Sequence, residues 1–195
     1  LDRDRLKLTS SIVPFMDQLF APWRMKWVSR NGLDDLSDGC VFCNVFKLED
    51  DKNKGLIAEN RHAYVILNNY PYNPGHLMVI PKEHVGSYVE LDDEVLLAHA
   101  KLKVRALKAL EVAFEPQGFN TGMNLGKGSG GSINDHIHTH IVPRWEGDSN
   151  FMPVLSDTKI IVEGMEETYC KLHEAFAGQK GSKYRGEDRS ILIED

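Results

Sequence analysis

Three histidines occupy alternate positions in His136-Ile137-His138-Thr139-His140-Ile141-Val142. In an extended strand alternate side chains share a face, so the three imidazoles point one way and Ile137, Thr139 and Ile141 the other. The chain holds 8 histidines, and such a triplet then has a chance expectation of roughly 0.01 as a template match. The triplet alone admits three readings. It is a chance cluster or tag remnant, a three-histidine metal site for hydrolysis, or an imidazole nucleophile supported by its neighbours.

The preceding loop favours the nucleophile. Asn124-Leu125-Gly126-Lys127-Gly128-Ser129-Gly130-Gly131-Ser132 runs directly into the triplet. Its glycines let backbone N–H groups converge on phosphate oxygens, and Lys127 adds a charge. By itself such a loop is also an ordinary hairpin turn. Beside a histidine nucleophile it reads as a phosphate cradle.

A second constellation is Cys40-Val41-Phe42-Cys43. The spacing lets two thiolates reach one ion, which makes it a zinc half-site. The alternatives are a redox motif, disfavoured because no βαβ pattern follows, or two buried cysteines.

These residues need elements to position them. His62–Asn69 is rich in β-branched and aromatic residues and reads as a strand. The turn YPYNPG follows, and His76–Pro81 reads as a second, antiparallel strand. Leu91–Phe114 reads as one long amphipathic helix capped by Asp92 or Asp93. Its apolar positions are Val95, Leu96, Ala98, Leu102, Val104, Leu107, Leu110, Val112 and Ala113. Phe119–Leu125 reads as a third strand and His136–Val142 as a fourth, closed by Pro143. Residues 158–176 read as a C-terminal helix. His62, His99 and His173 read as surface residues, and Cys170 as a helix-packing residue. The class is α+β, with an antiparallel sheet of about five strands packed on the long helix and the C-terminal helix. We divide the chain into an N-terminal arm over 1–18, one domain over 19–177 and a polar tail over 178–195.

The bulk properties exclude several classes. The 195 residues, 42% hydrophobic, suffice for one domain with a full core, and a net charge of −6 argues against a nucleic-acid partner. No apolar run approaches the ~18 residues that would span a bilayer. The opening Leu1-Asp2-Arg3-Asp4-Arg5 has no signal-peptide apolar region, and without an initiating Met it reads as starting inside the gene product or after a tag. An odd count of 3 cysteines is not a disulfide framework, and a reducing, cytoplasmic setting is expected.

The segment HIHTHIV, preceded by GGSIND and followed by PRW, resembles the histidine-triad (HIT) nucleotide hydrolases and transferases. NNYPYNPGHLMVIPKEH and LFAPWRMKWV extend the resemblance over about residues 19–155. GGS before the triad and PRW after it look like the bacterial diadenosine tetraphosphate phosphorylases, also called ATP adenylyltransferases. The resemblance implies that His138 attacks the α-phosphate and is nucleotidylated, while His140 positions the phosphate or leaving group. It implies that Asn124, Gly131 and Ser132 bind phosphate, with Ser132 also counted in the catalytic site; many relatives carry glutamine there, which argues against carrying over the simple hydrolase activity. Asn68 matches a ribose-contacting position, and Trp145 a nucleotide-binding aromatic or, equally, a core or dimer-contact tryptophan. His76 matches a family histidine in a packing or supporting role. The resemblance also implies a structural zinc on Cys40, Cys43, His84 and His136, and no organic cofactor. The partners it implies are a nucleotide and orthophosphate, in a two-fold homodimer with the long helix near the interface. Phosphorolysis of diadenosine tetraphosphate to ATP and ADP is the leading activity. Hydrolysis of dinucleoside polyphosphates or phosphoramidates with release of AMP is the alternative.

Overall fold

The structure is a computed structural model that describes residues 39–45, 50–131, 133–152, 155 and 160–194. The arm expected over 1–18, the start of the expected domain and Ser132 lie outside the described residues. A compact unit spans Asp34–Asp195.

Its helices are α1 (Val41–Asn44), α2 (Asp51–Lys54), α3 (Asp93–Phe114) and α4 (Met165–Ala177). Its strands are β1 (Leu56–Glu59), β2 (Ala63–Leu67), β3 (Leu77–Pro81), β4 (Gly118–Met123), β5 (Thr139–Arg144), β6 (Ser182–Lys183) and β7 (Ile191–Ile193). Among the described residues they form one sheet in the order β4-β5-β3-β2-β1-β7-β6.

β2 and β3 are continuous apolar runs because both their faces are covered. On one face Ala63, Val65, Leu67, Leu77, Val79 and Ile141 pack with Leu102, Ala106, Ala109 and Leu110 of α3 and Leu172 and Phe176 of α4. The other face carries Tyr64, Ile66, Met78 and Ile80 under Phe42 and Val45. The buried stripe of α3 is Val95, Ala98, His99, Leu102, Ala106, Ala109 and Leu110, whose spacing follows the helical period. Val104 and Val112, read as part of the apolar pattern, fall off this stripe and are exposed.

Three expectations are corrected. The sheet is mixed and seven-stranded rather than antiparallel and about five-stranded, because β7 pairs parallel with β1, Ala58 facing Ile191. The polar tail expected over 178–195 carries β6 and β7, and Ile191 is fully buried. Polar bonds fasten this segment: the Ser190 N–H donates to Asp51, and Arg185 donates to Glu59 and to Ser190. Three apolar residues in a charged stretch are too short a run to signal a strand by periodicity. Pro143 does not close β5, which runs to Arg144 opposite Gly118. The Pro143 carbonyl accepts from Asn73 on the side away from β4, so the missing N–H also faces outward past the end of β3.

The surface assignments of His99 and His173 also fail. Both are buried, with ring nitrogens bonded to the carbonyls of Val79 and Arg189 respectively. Cys170 is exposed rather than packed under α4.

Candidate active site

β5 begins at Thr139, which pairs with Val79 of β3 on one side and Met123 of β4 on the other, so His136–His138 lead into the strand rather than belonging to it. They are anchored differently: the Ile137 N–H donates to the Val85 carbonyl at 2.8 Å, and Ile137 packs with Val85, Leu91 and Val95. Alternation holds through the lead-in. Ile137 and Ile141 are buried in apolar clusters, and Thr139 meets His99 of α3 at 3.2 Å. The three histidines gather on the opposite face, where Phe42 packs on His136 and His138 with ring centroids at 5.6 and 5.0 Å.

Each imidazole has a partner that fixes where its proton sits. His138 Nδ1 lies 3.0 Å from the His136 carbonyl. A carbonyl only accepts, so Nδ1 carries the proton and Nε2 presents its lone pair. His136 is the reverse: its Nε2 donates to the Pro81 carbonyl at 2.8 Å, which leaves the Nδ1 lone pair outward. His140 is fixed through a relay. The Tyr72 backbone N–H donates to His76 Nδ1 at 3.1 Å, so His76 carries its proton on Nε2. That nitrogen donates to His140 Nδ1 at 3.0 Å, and His140 therefore presents an Nε2–H.

Burial keeps this relay neutral. Desolvation, followed by the His140 charge, pushes His76 down to about 3. His140 is lowered as well, chiefly by burial and then by His138. The hydrogen-bond pattern thus turns the Nε2 lone pair of His138 and the Nε2–H of His140 to one face, with ring centroids 4.9 Å apart. A nucleophile beside a hydrogen-bond donor can attack an electrophilic phosphorus and steady its oxygens.

The outward Nδ1 of His136 meets the second constellation. Cys40 Sγ lies 3.3 Å and Cys43 Sγ 3.5 Å from it, and Cys43 Sγ lies 3.3 Å from His84 Nδ1. The four ligand atoms all fall within 4.8 Å of one another and could hold a metal ion. Bond lengths near 2.0–2.3 Å in a tetrahedral N/S site imply ligand–ligand edges of about 3.3–3.8 Å, which these separations match. The Pro81 carbonyl is the kind of outer partner that would orient His136 as a ligand.

The other sequence candidates fall at varied distances from this chemistry. Asn68 Nδ2 is 3.4 Å from both ring nitrogens of His76, so its amide packs on that ring rather than bonding one lone pair. Asn124 and Gly131 are brought together: a Cβ on Gly131 would stand 2.9 Å from the Asn124 Cβ, so glycine is required for the approach. Lys127 is exposed on a short 3-10 turn over Lys127–Ser129. Trp145 is half-buried past the end of β5, its backbone N–H donating to Asp148. Sequence reasoning missed Phe42, treated only as a spacer between cysteines, and Tyr72, whose ring lies 4.7 Å from His76 and 6.2 Å from His140. It also missed Asp148, which receives Arg144 and Asn73. The Arg144 guanidinium holds its carboxyl well below the usual range, aided by Asn73. No residue spacing announces these contacts; only the aromatic richness of the YPYNPG turn hinted at one.

The HIT domain family matches residues 49–147. A Mycobacterium tuberculosis protein named AP-4-A phosphorylase is 37% identical over 172 residues, covering 84% of this chain and 86% of that protein. Among solved structures, a hypothetical histidine triad nucleotide-binding protein from Sulfolobus tokodaii aligns with TM-score 0.59 and 30% identity, over 73% of this chain and 95% of the other. A Zn-bound histidine triad family protein from Mycobacterium smegmatis aligns with TM-score 0.58 and 30% identity, over 71% and 94%. Among the described residues no helix is long and apolar enough to cross a membrane.

Proposed function

The chain belongs to the HIT family, and from that premise we propose that it is a nucleotidyl transferase cleaving dinucleoside polyphosphates by phosphorolysis. The observation that carries this reading is the fixed pair of tautomers, a lone pair on His138 Nε2 beside a donor on His140 Nε2. In the first step His138 Nε2 bonds to the α-phosphorus of diadenosine tetraphosphate, and the bond from that phosphorus to its bridging oxygen breaks. ATP leaves, its departing oxygen steadied by the His140 N–H. In the second step an orthophosphate oxygen attacks the adenylyl phosphorus and the P–N bond breaks, which releases ADP and restores neutral His138. The sum is diadenosine tetraphosphate plus orthophosphate to ATP plus ADP. The similarity to a protein named AP-4-A phosphorylase supports this choice of substrate and acceptor.

Asn124, Gly131, Ser132 and Lys127 are the residues we assign to phosphate binding, Asn68 to the ribose and Trp145 to the nucleotide. The close packing of Asn124 on Gly131 supports the first assignment. We assign zinc to Cys40, Cys43, His84 and His136; two thiolates with two imidazoles are its usual donors, and the smegmatis relative supports the choice. The ion would supply structure, and the residues themselves hold His136 so that its carbonyl orients His138. Cys40 and Cys43 held as metal ligands rather than as a disulfide suit a reducing, cytoplasmic compartment. β4 is an outer strand of the sheet, and α3 exposes Leu97, Val104 and Val112, which supports a two-fold homodimer.

The test is product analysis with diadenosine tetraphosphate, with and without orthophosphate. ATP and ADP formed only with phosphate are expected. AMP and ATP formed without phosphate would mean that water resolves the intermediate and that the enzyme is a hydrolase.

A further inference from the structure

The relay that sets the His140 proton begins on a turn at the surface. Tyr72 is exposed, yet its backbone N–H bonds the buried His76 and its ring lies 4.7 Å from that imidazole. Surface chain keeps its place only where something holds it. The inner side of the turn is held by packing. Gly75, at φ 77°, seats it so closely on α3 that a Cβ there would stand 3.0 Å from Leu110 Cδ2 and 3.2 Å from Phe114 Cε2. The Asn73 carbonyl accepts the His76 N–H at 3.1 Å, which closes the turn directly before the relay.

The outer side is held by one amide and one carboxylate. Asn73 is 2% exposed, and its Nδ2 donates to the Pro143 carbonyl and to Asp148 Oδ2, both at 2.8 Å. Neither acceptor carries a proton, so turning the amide over would set its oxygen against a carbonyl and a carboxylate. Pro143 follows His140 in β5. Turn and strand are therefore joined twice, His76 to His140 and Asn73 to Pro143, in one closed ring. Asp148 is the outer stay of that ring. Its carboxylate also receives Arg144 through two guanidinium nitrogens and the Trp145 N–H at 3.3 Å. Those bonds fix its direction, and its side chain is only 8% exposed.

We propose that Asp148 and Asn73 are positioning residues for the chemical step, acting on His140 through the turn without touching the substrate. With the turn in place, the Tyr72 N–H claims His76 Nδ1 and His140 keeps its proton on Nε2. Removing the Asp148 carboxylate leaves a buried Asn73 N–H without a partner, which favours release of the turn. His76 is then free to hold its proton on Nδ1 and to accept at Nε2 from His140 Nδ1–H. His140 would face the phosphate with a lone pair beside that of His138, and the departing oxygen would lose its donor. The proposal rests on the reading of His138 as nucleophile and His140 as donor.

The experiment joins steady-state kinetics on diadenosine tetraphosphate and orthophosphate with 1H–15N NMR of the histidine side chains, on the full chain as purified. The spectra distinguish a protonated from an unprotonated ring nitrogen, so they read the tautomer of His140 without substrate. Wild type is compared with Asn73→Ala, Asp148→Ala and Asp148→Asn, with a melting temperature for each. The two alanine variants are expected to lower kcat about tenfold or more, the scale of a small misplacement at the reacting centre, with little change in KM. Both should also move the His140 signals away from the single Nε2–H pattern of wild type. Asp148→Asn keeps an oxygen that accepts from Asn73 and is expected to recover most of the lost rate. Asn73→Ala empties a buried site; should it fail to fold, Asp148→Ala carries the test. Alanine variants with wild-type kcat, or with a reduced kcat but an unchanged His140 tautomer, would overturn the positioning role. Absence of turnover in wild type would count against the reaction proposed above, and the tautomer comparison would still decide the role of Asp148.

Discussion

His136 and His138 are the same side chain two residues apart on the same face, yet their environments give them opposite protonation patterns. His136 has Nε2 tied to the Pro81 carbonyl and turns Nδ1 toward Cys40 and Cys43. His138 has Nδ1 tied to the His136 carbonyl and leaves Nε2 open. The difference shows that residue type does not set the duty of an imidazole; the single carbonyl that claims one of its nitrogens does. The two ends are also coupled, because the carbonyl that claims His138 belongs to His136.

The sharpest way to break the contrast is to delete the open lone pair. His138→Ala is expected to cut turnover by about four orders of magnitude or more in an initial-rate assay, since no other group can form the bond to phosphorus. Nucleotide binding should stay largely intact, and activity within tenfold of wild type would end the nucleophile assignment. Next in size is the relay. His76→Phe removes the donor that places the His140 proton on Nε2, and we expect kcat to fall about a hundredfold, the scale of a lost proton-positioning partner, with a smaller change in KM. The metal end should behave differently. Cys40→Ser is expected to lower bound metal, by elemental analysis, from about one per chain to almost none. A loss of a few kcal/mol there would lower the melting temperature by about 10 °C, while the folded fraction keeps turnover within tenfold. Protein that stays metal-free, fully stable and fully active would remove the zinc assignment.

The smallest expected effect, taken per pH unit, is that of pH on stability. His76 titrates near 6.5 when unfolded and at about 3 when folded. Between these values the unfolded chain binds the extra proton, so stability rises with pH across the window. Its contribution is complete above about pH 6.5 and is lost as pH falls toward 3, at about 1 kcal/mol per pH unit. His140 adds in the same direction. Melting curves across that window should show a shallower slope for His76→Gln than for wild type, and equal slopes would mean that His76 is not buried neutral.

Much of the site was legible because its chemistry is local in the chain. The alternation of His136, His138 and His140, the glycine loop before them and the two-residue spacing of Cys40 and Cys43 each follow from the geometry of a few consecutive bonds. The long helix was legible from its period to within two residues of its start. Resemblance to the family added His84 to the cysteines, and the structure brings the four ligand atoms together. His99 and His173 were misread because burial of a lone histidine depends on what lies across the fold, the Val79 carbonyl in one case and the Arg189 carbonyl in the other. The pairing of β7 with β1 was hidden for the same reason, since 133 positions separate Ala58 from Ile191 (191 − 58).

By itself, then, the sequence determined which side chains share a face and which residue types could hold a metal or attack a phosphate. Those follow from the period of the backbone and the chemistry of each group. Only the tertiary structure decided which nitrogen of each imidazole is free, that Tyr72 and His76 set the proton of His140, and that the Asp148 carboxylate receives the Asn73 amide. Each of these is a contact between segments distant in the chain, and a hydrogen bond acts only over about 3 Å, so no property of one segment alone can fix it.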